Sequence, residues 1–281
     1  MKKLFIVLMC ICILLIGVVI ALKIGYDRTI EKGEDEFESA LDSLKVFTTD
    51  KPQTPMDSIT APADTTVSDT EPEETQPVTA TLDFSALADI NPDIYAWIEI
   101  EGTKVDYPVL QSPDNDDKYL NTAYDGSRYI GGAIFTQAGY NSNDFNDPVT
   151  LIYGHTMASG TLFGQLQKVY SSADGFASHG EIKIYLPDGT RYYDVFAAVP
   201  FENLHIMHNY DFTSEYWYEN FFDRVFDVRS FGANFNEELR PQYGDRVIIL
   251  STCLNEDSSK RFLVMAVNRD DIADNPAASD G

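Results

Sequence analysis

Between Phe84 and Asn268 the chain consists mostly of short apolar runs broken by turn residues, the pattern of a mainly β globular domain of ordinary size with no internal repeat. The runs Trp97-Ile98-Glu99-Ile100, Lys104-Val105-Asp106-Tyr107, Gly132-Ala133-Ile134-Phe135 and Val149-Thr150-Leu151-Ile152 have the length and composition of strands. Glu181 to Tyr185 and Tyr192 to Phe196 flank Pro187-Asp188-Gly189, a hairpin turn signal. Val247 to Cys253 and Arg261 to Val267 complete the set. One segment differs. From Ser214 to Arg229, Trp217, Phe221, Val225 and Val228 recur on one helical face, with Ser214 as a cap and Glu215 and Glu219 near the start. Many short strands with few helices predict a mainly β barrel with peripheral helices.

The rest of the chain divides by composition. Leu4 to Leu22 is almost wholly apolar, with Lys2, Lys3 and Lys23 at its ends. At about 1.5 Å per residue it is long enough to cross a hydrocarbon core. A cleaved signal has an apolar region of about 7–15 residues and a small-x-small site; Ile20-Ala21-Leu22 offers none. Residues 1–23 therefore read as an uncleaved single-pass anchor. Lys2 and Lys3 put the N-terminus in the cytoplasm and the remainder outside the cell membrane. Cys10 and Cys12 fall within this segment as small packing residues.

Residues 24–47 place Ile30, Phe37, Leu41 and Leu44 amid charges, and the last three fit a short amphipathic stalk helix. Residues 48–81 are rich in Thr, Pro, Asp and Glu and hold no aromatic side chain. Such a segment cannot bury enough apolar surface to offset its ordering entropy, and it predicts a disordered spacer that lets the domain stand off the membrane. Residues 82–269 form the globular domain, and 270–281 an acidic disordered tail. The net charge of −25 argues against nucleic acid, whose binding depends on Lys and Arg at the phosphates.

Outside the apolar N-terminus the only cysteine is Cys253, so no internal disulfide is available. It ends one apolar run, Arg261 opens the next, and His155 follows Thr150 to Gly154. A thiol near its ordinary pKa is mostly protonated at neutral pH. An imidazole raises the thiolate fraction or protonates a leaving amine, and a guanidinium donates to the oxyanion of an attacked carbonyl. The three make an acyl-transfer set if the fold gathers them. The alternative is a small buried residue at 253 and a turn residue at 155. The polar stretch Leu254 to Lys260 suits a loop between adjacent antiparallel strands. His205 and His208 lack a third ligand at a recognisable spacing and read as loop residues; no metal or other cofactor is implied.

These fragments resemble, in order, the class B sortases. The resemblance is carried by Trp97-Ile98-x-Ile100-x-Gly102-Thr103, Val105 to Gln111, Lys118-Tyr119-Leu120 and Gly132-x-Ile134-Phe135. It continues through Leu151 to His155 with Met157, Phe163 and Leu166, then Leu250 to Cys253, and Arg261 to Val264. It implies a sortase β-barrel with a helix before the cysteine strand, where Ser214–Arg229 falls. It also implies a two-step transpeptidation on surface proteins bearing a sorting signal, with a motif near Asn-Pro-Gln-Thr. Cys253 would attack the threonine carbonyl, His155 would act as acid and base, and Arg261 would hold the oxyanion. The acyl group would pass to an amine of peptidoglycan. Leu120, Ser251 and Thr252 take substrate-groove positions. Some class B members carry an acid directly after the cysteine; here Leu254-Asn255 intervene before Glu256. The residues leave open a pilus-polymerising sortase, a cysteine endopeptidase in which water takes the acyl group, and a catalytically silent surface-binding module. Pro52-Gln53-Thr54-Pro55 has the look of a sorting motif, but the proline after the threonine forms a tertiary amide, and it reads as linker.

Overall fold

The computed structural model describes residues 81–254, 257 and 259–270, together with Met9, 15–25, Arg28, 39–41, Leu44 and 47–48. Two short strands, β1 (Phe47–Thr48) and β2 (Thr81–Leu82), pair antiparallel ahead of helix α1 (Phe84–Ile90). The main sheet is built from β3 (Ile94–Glu99), β4 (Asp106–Ser112), β5 (Ile134–Gln137), β6 (Val149–Tyr153), β7 (Glu181–Leu186), β8 (Gly189–Glu202), β9 (Asn234–Phe235), β10 (Val247–Cys253) and β11 (Lys260–Asn268). The order is β11-β10-β6-β5-β4-β3-β7-β8-β9, and a β11–β8 ladder closes it, so eight strands form a barrel and β9 extends one rim. Closure leaves those eight strands no long open edge. The β4–β5 and β6–β10 pairs are parallel and the others antiparallel.

Two apolar cores explain the two kinds of strand sequence. The barrel interior holds Ile98, Ile152, Ile184, Ile248, Leu250, Phe262 and Val264. A second core lies outside the barrel, between the opposite faces of β6, β10 and β11 and helix α5 (Glu215–Phe226). It takes Leu151, Ile249, Leu263 and Met265 from the strands. Strands buried on both faces read as continuous apolar runs, which is why 247–250 and 262–267 carry no polar alternation. β7, with one face outward, alternates instead. The predicted hairpin is present: Leu186 pairs Gly189 across Pro187-Asp188.

Helix α5 corrects the predicted apolar face. Phe221 and Val225 are buried, but their companions are Tyr218, Phe222 and Phe226, while Trp217 is 40% exposed. The wide aromatic stripe turns Trp217 outward, where it meets Tyr210 and Tyr216 edge-on. Ser214 stands at the N-cap through its carbonyl, which accepts from the Tyr218 N–H, and its hydroxyl makes no capping bond. Short helices α2 (Leu166–Tyr170), α3 (Ala173–Ser178) and α4 (Ile206–Asn209) lie in the connections.

At the N-terminus, residues 15–25, 39–41 and 44 are helical. Leu41 is 4% exposed and belongs to the barrel core cluster, with Leu44 packed against it. Among the described residues no helix is long and apolar enough to cross a membrane. Most of residues 1–14, Ile30, Phe37, all of the proposed spacer 48–81 but its two end residues, and all of the proposed tail 270–281 but its first residue lie outside the described residues.

Candidate active site

The predicted thiol, imidazole and guanidinium all stand at one end of the barrel. β10 and β11 form an antiparallel ladder in which Cys253 pairs Arg261, as the loop between them implied. The Arg261 Nη1 donates toward the Cys253 sulfur at 3.3 Å. Cys253 is a free thiol, partly exposed. Its sequence neighbours show which way it faces: Val247 and Ile249 point to the outer core, Ile248 and Leu250 to the barrel interior. With a period of two, Ser251 and Cys253 continue the outer face.

His155 arrives by a parallel register. β6 and β10 pair Leu151 with Ile249, Ile152 with Leu250 and Tyr153 with Ser251. The strand ends at Tyr153 and the pairing closes with the Gly154 N–H donating to the Ser251 carbonyl at 3.2 Å, so His155 follows at the end of the barrel where β10 finishes in Cys253. One parallel and one antiparallel pairing thus bring the chain positions of His155, Cys253 and Arg261 to that end.

Several contacts hold the histidine. Its Nε2 lies 3.0 Å from the Leu120 carbonyl oxygen. A carbonyl only accepts, so Nε2 carries the hydrogen, and Nδ1 is the nitrogen at which a proton is gained or lost. The Leu120 carbonyl is anchored in turn. Tyr119 beside it is 1% exposed, donates to Asp93 at 2.7 Å and accepts from Asn91 at 3.0 Å. Lys118 pairs with the same Asp93 carboxylate at 2.7 Å. Gly154 is required before His155: a Cβ there would meet Ile134 at 2.5 Å and Phe163 at 2.6 Å. The loop beyond returns its Phe163 N–H to the His155 carbonyl, with Leu162 at φ 53, a left-handed conformation uncommon for leucine. The Tyr107 hydroxyl accepts from the Leu162 N–H there.

The three groove positions separate. Ser251 shares the outer face with Cys253 and is 5% exposed. Leu120 contributes the carbonyl that holds His155. Thr252 points to the barrel interior, 3% exposed, with its hydroxyl 2.6 Å from that of Thr156. That orientation follows from its even place in the strand and removes it from the face of the thiol. Two residues at the site escaped the sequence reading. Thr156 is one. Tyr153 is the other: it stacks on Phe135 at 5.4 Å, and burial pushes its phenol above the ordinary tyrosine range, with Arg261 opposing the shift. Its place two residues before His155 in a parallel strand was the available signal.

His208 lies within α4 and not in a loop. His205 precedes that helix as its N-cap, its Nδ1 accepting from the His208 N–H, and its ring lies tilted against Tyr140 at 4.8 Å. Among the described residues no group of three or more His, Cys, Asp or Glu side chains is arranged to hold a metal ion.

Comparison with known proteins bears on this geometry. Residues 98–269 match the family described as Sortase domain. The Sortase B of Listeria monocytogenes is 32% identical over 178 residues, which cover 60% of this chain and 66% of that protein, slightly under two thirds of its length. The structure of a Staphylococcus aureus sortase B–substrate complex superposes with a TM-score of 0.57 at 28% identity, over 66% of this chain and 83% of that one. A Streptococcus pyogenes class B sortase involved in pilus biogenesis gives a TM-score of 0.57 at 26% identity, over 66% and 97%.

Proposed function

Since this chain belongs to the sortase family, in its class B, we propose that it is a membrane-anchored cysteine transpeptidase that joins surface proteins to an amine of the cell wall. The observation that carries this reading is the Arg261 guanidinium 3.3 Å from the Cys253 sulfur, beside the strand end that bears His155.

The chemistry follows from the side chains. The Cys253 thiolate attacks the carbonyl carbon of the threonine in a sorting motif near Asn-Pro-Gln-Thr, and a C–S bond forms. The carbonyl oxygen takes up the negative charge, and Arg261 donates to it. As the oxyanion collapses, the C–N bond after threonine breaks and the departing amine takes a proton from His155 Nδ1. The thioester that remains is attacked by an acceptor amine. His155 removes a proton from that amine, a new amide forms, and the sulfur leaves as thiolate. The Leu120 carbonyl, by holding Nε2–H, keeps the imidazole in the one tautomer that serves both steps. Ser251 lines the groove along which the motif lies, and residues 1–23 anchor the enzyme with its domain outside the cell.

A second reading, in which the acceptor is a lysine of another pilus subunit, is favoured by one observation, the similarity to the Streptococcus pyogenes enzyme. Both readings share the acylation step. The test incubates the purified chain with an Asn-Pro-Gln-Thr peptide and either triglycine, a stem peptide or a lysine-bearing peptide, with products read by mass spectrometry. Cleavage after threonine with joining to triglycine or stem peptide supports the wall-anchoring reading; joining only to lysine supports the pilus reading. Release of free acid in every mixture makes the protein an endopeptidase.

A further inference from the structure

The parallel ladder between β6 and β10 ends just short of the residues that the reaction needs. Its last backbone rung runs from the Gly154 N–H to the Ser251 carbonyl at 3.2 Å. In a regular parallel ladder the rungs are evenly spaced, two residues apart along each strand, so the next would join the Thr156 N–H to the Cys253 carbonyl. The Thr156 side chain takes that place instead: its Oγ1 donates to the Cys253 carbonyl oxygen at 2.7 Å. The same Oγ1 lies 2.6 Å from the Thr252 hydroxyl.

The direction of both bonds is determined. A carbonyl has no proton to give, so the single hydroxyl proton of Thr156 is committed to Cys253. The Thr252 hydroxyl must therefore donate to Thr156. A chain runs from Thr252 through Thr156 to the carbonyl of Cys253, tying the segment after β6 to the two residues that end β10. Thr252 sits on the interior face, nearly inaccessible, so water is poorly placed to replace Thr156.

We propose that Thr156 is a positioning residue for the acyl-transfer reaction, its hydroxyl clamping the Cys253 peptide to the segment after β6 and so fixing the main chain that carries the sulfur relative to the one that carries the His155 imidazole. The proposal rests on the functional reading above. Thr156 itself touches neither the sulfur nor the imidazole through any hydrogen bond; it acts through the Cys253 main chain. Serine at 156 preserves the clamp, whereas valine keeps the shape and leaves the Cys253 carbonyl and the Thr252 hydroxyl unpartnered.

The test compares the full chain with Thr156→Val and Thr156→Ser. The first readout is the pH profile of Cys253 alkylation by iodoacetamide, followed by mass spectrometry on the peptide that contains Cys253. The second is kcat and KM for an Asn-Pro-Gln-Thr peptide, and a thermal melt checks that each variant is folded. Thr156→Val is expected to move the midpoint of the alkylation profile and to lower kcat about tenfold with little change in KM. Thr156→Ser is expected to restore both. A valine variant with the original profile and kcat overturns the proposal, as does a serine variant as defective as valine. If the wild-type protein processes no peptide, the functional reading fails. The alkylation profiles then decide the clamp alone: a midpoint moved by valine and restored by serine supports it, and an unmoved one overturns it.

Discussion

Arg261 faces Cys253 across the last antiparallel rung of the β10–β11 ladder, its Nη1 3.3 Å from the sulfur. The register leaves no freedom in this pairing: a slip of one residue would turn Arg261 toward the barrel interior. A guanidinium fixed there presents a planar fork to an oxyanion formed on the carbon attached to that sulfur. Arg261→Lys replaces the fork with a shorter-reaching point charge. The expected result is a fall of about 10²–10³ in kcat with a much smaller change in KM. Steady-state kinetics on an Asn-Pro-Gln-Thr peptide checks it, and an unchanged kcat would remove Arg261 from the oxyanion site.

Cys253→Ala is expected to abolish the covalent intermediate. Intact-protein mass spectrometry after mixing with the peptide should show the acyl adduct in the wild type only. The side chain is small and only partly buried, so the melting temperature should move by no more than about 2 °C. Residual cleavage at the wild-type rate would reassign the nucleophile.

The Tyr119 hydroxyl lies between Asn91 and Asp93, and Tyr119 directly precedes Leu120, whose carbonyl holds His155. Tyr119→Phe strips a hydrogen bond from each partner in a buried setting. Urea denaturation should report a loss of about 1–3 kcal/mol. The kcat should also fall, because the support of the Leu120 carbonyl loosens. Wild-type stability would mean that water accepts from Asn91 and that water or Lys118 satisfies Asp93.

Leu41 is 4% exposed and belongs to the same buried cluster as the barrel interior, although more than forty residues separate it from α1. Leu41→Ala is therefore expected to cost about 2–5 kcal/mol, as a core truncation does. An exposed leucine of a free-standing stalk would cost almost nothing. Chemical denaturation of the full chain separates the two.

In the loop after Cys253, the Ser259 hydroxyl and N–H both donate to Asp257 Oδ1. These bonds hold the Asp257 carboxyl below its ordinary range, its burial being negligible. A depressed folded pKa stabilises the turn above the ordinary carboxylate range and ceases to do so as the pH falls through the depressed value. The Ser259 amide resonance should accordingly titrate at a lower pH than a free aspartate would give. Asp257→Asn should abolish that titration; an ordinary midpoint would mean that the turn does not form in solution.

Much of this was legible in the sequence wherever the determinant was local. Val247 to Leu250 and Phe262 to Val267 announced strands because burial on both faces leaves no polar alternation to confuse with a helix. The Cys253–Arg261 pair was readable from the polar loop that joins its strands. The neighbour relation of His155 was not, because it depends on a parallel register across the long connection that carries β7, β8 and α5. Thr156 gave no signal for the same reason, its partners being nearly a hundred positions away. On α5, 3.6-residue spacing found Phe221 and Val225 but assigned Trp217 inward, since spacing alone does not say which flank of an aromatic-rich helix meets the barrel. The Leu120 carbonyl illustrates a further limit: a main-chain oxygen leaves no trace in residue identity.

The small β1–β2 ladder sets a leash length. Phe47 pairs Leu82 and Thr48 pairs Thr81, so whatever path residues 49–80 follow, they return to where they set out. Their contour, on the order of 100 Å if drawn out, adds nothing to the distance between Leu41 and the barrel. For the proposed anchor of residues 1–23, the tether is residues 24–40, at most about 60 Å when fully extended. With that anchor, the catalytic end would stay in a shallow shell above the bilayer, and a substrate or acceptor would have to be engaged close to the membrane.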